Sequence, residues 1–103
     1  MTFKEFQEIN KKRDLTAWNH LQIWKYVDWS NAIAGESGEL CNLVKKMKRD
    51  GNITLEQLSK EIADIITYCT LFAIKLNIDL EETLIKKFNE VSDRIKSNVK
   101  INL

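Results

Sequence analysis

The chain has 103 residues, of which 44% are hydrophobic and 30% charged, with a formal net charge of +1. This is the length of one domain, 1–103, and the near-neutral balance argues against a nucleic acid polymer as partner, which calls for a clearly basic surface. No apolar run is long enough for a membrane span and no signal-peptide core follows Met1, so a cytoplasmic protein with no membrane partner is expected.

Thr2 with Glu5 reads as a capping box that opens a first helix to about Arg13, on Phe3, Phe6 and Ile9. Residues 14–29 read as a loop with at most a short helical turn. They hold Trp18, Trp24, Trp29, Tyr26 and the sole histidine, His20. Ser30 is the expected N-cap of a second helix to about Arg49, with Ile33, Leu40, Leu43, Val44 and Met47 on its apolar side. Asp50-Gly51-Asn52 breaks it. Thr54 with Gln57 opens a third helix to about Leu76, on Leu58, Ile62, Ile65, Ile66, Cys69, Phe72 and Ala73. Asn77 suits the left-handed position that follows. Asp79 with Glu82 opens a fourth helix to about Arg94, on Leu80, Leu84, Phe88, Val91 and Ile95. From Ser97 the chain is polar with spaced aliphatics (Val99, Ile101, Leu103), either a disordered tail or an arm on a neighbouring subunit. Cys41 and Cys69 lie in apolar helical stretches and are expected to be reduced and buried. With no proline and three glycines, the expected fold is all-α. It is an antiparallel four-helix bundle-like domain whose small core favours oligomerising through helix faces.

Two acid pairs stand out, Glu36/Glu39 in the second helix and Glu61/Asp64 in the third. Residues three apart share one side of a helix. Glu61 falls about 60° from Leu58 and about 40° from Ile65 around the axis, inside the apolar stripe. Glu36 stands in the same relation to Ile33 and Leu40, with Glu39 at the stripe's edge. Either pair alone reads as a solvated helix face. Together, on helices that a short turn makes antiparallel, they bring four carboxylates to one point. Acids are seldom buried without a counter-charge, and an all-oxygen cluster calls for a hard cation, Mg²⁺ or Mn²⁺. Carboxylate-bridged iron sites use Glu-x-x-His pairs, and His20 is on neither helix, so redox iron does not fit. Gly35 and Gly38 beside the first pair each cost about 1 kcal/mol relative to alanine. Either a ligand or a packed helix comes close there.

Gly35-Glu36-Ser37-Gly38-Glu39-Leu40, Lys60-Glu61-Ile62-Ala63-Asp64-Ile65 and Asn77-Ile78-Asp79-Leu80-Glu81-Glu82, with Lys87 to Arg94 after them, resemble the MazG-like all-α NTP pyrophosphatases. The likeness spans about residues 28–96 and is to the small single-domain branch. It implies hydrolysis of a nucleoside triphosphate between its α and β phosphates, giving a monophosphate and pyrophosphate. The implied setting is nucleotide-pool house-cleaning with a dNTP such as dCTP or dATP. It implies that Glu36, Glu39, Glu61 and Asp64 are the metal-binding and catalytic residues, with Mg²⁺ as cofactor and Mn²⁺ able to substitute; the general base is left open by it, with Glu36 or Glu39 favoured because not all four acids need bind the same ion. It also implies a homodimer or homotetramer with the site near a subunit interface. Larger branches carry an arginine-rich segment near the end of the fourth helix. Here Arg94 stands alone, beside Asp93.

The same resemblance places base contacts in the N-terminal region, making Trp18, His20 and Trp29 candidates, while tryptophans in a small bundle also serve as core or interface. Tyr68, one turn after Asp64, either closes that pocket or packs. For the phosphates, Lys46 shares Glu39's face, and Lys87, Asn89 and Arg94 fall in the matching segment. The competing reading is a non-catalytic helical dimerisation or regulatory module, which leaves the core-side acids unexplained.

Overall fold

The computed structural model describes residues 1–102, and every regular element among them is helical. Helix α1 (Phe3–Arg13) runs into a π-helical turn (Asp14–Trp18). There follow α2 (His20–Ile23), α3 (Tyr26–Asp50), α4 (Leu55–Lys75) and α5 (Leu80–Arg94). The bundle is therefore of five helices, not four. Most of the packing is the α3–α4 hairpin, with α1 against α4 and α5, and α2 against α4.

Local chemistry sets most helix ends. Thr2 Oγ1 accepts from the Glu5 N–H at 3.1 Å. Thr54 and Gln57 exchange both bonds of a capping box. Asp79 Oδ1 accepts from the Glu82 N–H at 3.1 Å. Gly51 (φ 71°) and Asn77 (φ 59°) close α3 and α4 in the left-handed conformation.

Two expectations for residues 14–30 fail. First, α3 begins at Tyr26, four residues before Ser30. The Asp28 carboxylate accepts from the Lys25 N–H at 2.9 Å and so supplies the cap. The Ser30 hydroxyl instead donates back to the Val27 carbonyl inside the helix. Second, residues 14–18 continue α1 as a wider turn. Asp14, fully buried, accepts from the backbone N–H groups of His20 (3.3 Å) and Leu21 (2.8 Å). Those bonds satisfy the otherwise orphaned start of α2.

The core sits where the start of α3 meets the second half of α4, beneath α2. Leu21, Trp29 and Leu71 are buried, with Trp24, Tyr68, Phe72 and Ile74 packed around them. Lys75 Nζ donates to the Leu21 carbonyl at 2.7 Å and ties α4 to α2. Gln7 joins α1 to the α4–α5 link, donating to the Ile78 carbonyl and accepting from the Leu80 N–H. Cys41 and Cys69 are free thiols and both are exposed, contrary to the buried positions expected. The apolar residues around them face outward as well, Val44 and Ile62 among them. No described helix is long and apolar enough to cross a membrane.

Candidate metal centre on the α3–α4 hairpin

A four-residue link folds α4 back along α3. This sets the middle of α3 opposite the first half of α4. Glu36 and Glu39 come from one helix and Glu61 from the other. One carboxylate oxygen of each lies within 4.8 Å of the others. Asp64 is exposed on the next turn of α4 and stands outside this trio. The expected four-carboxylate convergence is thus three acids with a fourth at the rim.

Glu36 and Glu61 are half-buried, and the Oε2 atom of each is buried with no hydrogen-bond partner. Burial is the main cause that pushes the Glu36 carboxyl up to about 7. Its contact with Glu61 and the charges of Glu39 and Asp64 add to it. The Glu61 carboxyl is also raised, by burial first and then by Glu39 and Asp64, while a proton on Glu36 directed at it works the other way. One proton shared between the two relieves the pair when no cation is there to do so. A Cβ at Gly35 or Gly38 would meet open space within 4 Å. No helix of this chain therefore requires either glycine for close packing, and the space beside the acids is open.

An aromatic ladder leads towards the cluster. Trp18 lies parallel to His20 at 5.8 Å, His20 to Trp24 at 4.0 Å, and Trp24 to Tyr68 at 6.2 Å. The Arg13 guanidinium sits 4.9 Å over the Trp18 ring. Tyr68 has its phenol raised by burial and then by the charges of Glu36, Asp64 and Glu39, which places it in the field of the acids. Trp29 is fully buried, edge-on to Trp24 and parallel to Phe72. A side chain with no exposed surface cannot take a base, so Trp29 is a core residue. Trp24, which was not among the expected base-contact residues, stacks between His20 and Tyr68. The tryptophan-rich composition of 14–29 signals the ladder, but only the fold tells which ring is inside.

The cations and amide on α5 are not gathered at the acids. Lys87 pairs with Glu90 at 3.3 Å. Asn89 spends its amide on the backbone of Ile101, donating to the carbonyl and accepting from the N–H, both at 2.8 Å. Arg94 is exposed at the end of a helix whose main neighbour is α1. Lys46 is exposed on α3. The clefts of about 320 Å³ (Lys4, Gln7, Asn77, Asp79) and about 340 Å³ (Phe3, Phe6, Ala63, Ile66) flank α1 rather than the trio. The acids therefore open on the surface of the hairpin. No family model, curated protein or solved structure matches the chain.

Proposed function

We propose that the chain is a Mg²⁺-dependent nucleoside triphosphate pyrophosphohydrolase of the MazG-like kind, cleaving a (d)NTP to (d)NMP and pyrophosphate in nucleotide-pool house-cleaning. The observation that carries this reading is the pair of buried, unpartnered oxygens of Glu36 and Glu61, set against Glu39. Two half-buried acids from different helices, with no ion-pair partner among the described residues, are a costly arrangement for a structural role alone.

The donor set is all oxygen and fits a hard divalent cation. Glu36, Glu39 and Glu61 would hold it, with Asp64 at the rim. Bound there, the ion would neutralise phosphate oxygens and make water a better nucleophile. Glu36 and Glu61 are fixed from two helices and set the position of the charge. Glu39, the exposed member of the trio, takes the proton as water adds to the α-phosphorus. The bond from that phosphorus to the bridging oxygen breaks, and pyrophosphate leaves. His20 and Trp24 cover each other at 4.0 Å, so the ends of the ladder, the half-exposed Trp18 and Tyr68 beside the acids, are the rings a base would meet.

The test is pyrophosphate release from a panel of NTPs and dNTPs, with Mg²⁺ and with EDTA, for the native chain and Glu61→Gln. Release that needs the metal, leaves a monophosphate and falls by roughly a hundredfold or more in the variant is expected. Helicity should be unchanged. No release from any nucleotide by the folded native chain sinks the reading in favour of a non-catalytic helical module.

A further inference from the structure

We infer that Asp14 and His20 form a clasp worked by a proton. The neutral imidazole stands open beside the buried carboxylate, and a second proton on the ring draws the two into an ion pair that fixes α2. Asp14 is fully buried. An acid so placed calls for a counter-charge. Among the described residues the only basic side chain within 4.0 Å of it is the His20 ring, with Nδ1 3.9 Å from Asp14 Oδ1. That gap is too long for a hydrogen bond.

Nδ1 of His20 is buried and has no other partner. It faces a carboxylate oxygen that already accepts the His20 backbone N–H at 3.3 Å. The proton of the neutral ring therefore belongs on Nδ1, and Nε2 is left bare at the ring's open edge. A proton from solvent adds there. The imidazolium gives Asp14 its counter-charge, and closing the gap by about 1 Å makes a charge-assisted bond of about 2.7–2.9 Å. The same charge lies between two indole rings, Trp24 at 4.0 Å and Trp18 at 5.8 Å, both within reach of a cation–π contact.

The other charged and titratable groups around the ring are engaged elsewhere. Arg13 at the end of α1 sits 4.9 Å over Trp18. From α4, Lys75 is bonded to the Leu21 carbonyl. Tyr68, also from α4, stands across Trp24, 6.2 Å from that ring, and it is Tyr68 that the hairpin acids act on. Helix α2 has four residues, held at their start by the Asp14 bonds to His20 and Leu21. The clasp adds a side-chain bond to the same carboxylate, so α2 and the outer rungs of the ladder tighten as the pH falls. The inference rests on the fold alone and stands whether or not the chain hydrolyses nucleotides.

His20 is the sole histidine, so ¹⁵N NMR of the full native chain reads its ring nitrogens directly. The titration runs from about pH 8 to about pH 5, the span in which an imidazole gains its charge. At the upper end Nδ1 should carry the proton and Nε2 should be bare; at the lower end both should carry one. Over the same span amide exchange at Leu21, corrected for the intrinsic effect of pH, should slow by about tenfold, as one charge-assisted bond implies. His20→Gln should show no such slowing. The Glu36 carboxyl, pushed up to about 7, titrates in this span too. It is present in both chains, so the difference between them isolates His20. A bare Nδ1 at the upper end overturns the proposal. So does a Leu21 amide no better protected in acid, or one slowed equally in His20→Gln.

Discussion

The Glu36 carboxyl, pushed up from 4.5 to about 7 by burial and its acidic neighbours, ties the stability of the metal-free protein to pH. The folded state holds this proton more tightly than the unfolded chain. Its stabilising contribution is therefore complete below about pH 4.5 and is lost as the pH rises through 7. In EDTA the melting temperature should fall across that window, and Mg²⁺ should flatten the fall. A profile that Mg²⁺ leaves unchanged would remove the trio as a cation site. Gly38 offers a second reading of the same place. Since its absent Cβ would meet open space, Gly38→Ala should stabilise the fold by up to about 1 kcal/mol. If turnover falls while the midpoint in urea rises, the opening beside the acids is used by substrate. Trp29→Ala should behave differently from any change on the ladder. It empties the core and should cost about 3–5 kcal/mol, whereas Trp18→Ala, at a ring 48% exposed, should leave the urea midpoint nearly unchanged.

At the scale of the element, the π turn is held by a bond network rather than by propensity. Asp14→Ala would leave the buried N–H of Leu21 and the half-buried N–H of His20 without their acceptor. A loss of about 3 kcal/mol in urea unfolding is expected, together with melting of α2. This network also explains what was legible in the sequence. Caps at Thr2, Thr54 and Asp79, and stops at Gly51 and Asn77, are written within four residues of one another, so they can be read without a fold. The Asp14 carboxylate acts on a helix six and seven residues away, and nothing local announces it. The start of α3 was hidden for a simpler reason: Ser30 is a good capping residue by type, yet Asp28 holds the bond. The hairpin and its facing acids were legible because helical spacing and a short turn fix them. Asp64 at the rim depends on how the two helices roll against each other, and spacing to within a third of a turn does not resolve that. Asn89 shows the same limit, since its partner is an arm twelve residues on.

The whole molecule is an open one, 44 × 41 × 26 Å across its principal axes, with α5 joined to the rest chiefly through α1. Gln7 is the polar part of that junction. Gln7→Leu would strand the Leu80 N–H and should cost about 1–2 kcal/mol, read as a lower urea midpoint at unchanged slope. The junction also imposes an order on synthesis. At about 5–20 residues per second, some 4–15 s separate the making of Gln7 from the making of Leu80. Until α4 is made, late in that interval, α1 has neither α4 nor the link to lie on, and a helix of 11 residues is marginal by itself. Nascent chains halted before α4 should therefore be cut readily within α1, and chains released with α4 and α5 complete should resist. A helix translated early is thus among the parts of the fold to be secured late, and until then its phenylalanines are open to whatever waits at the ribosome's exit.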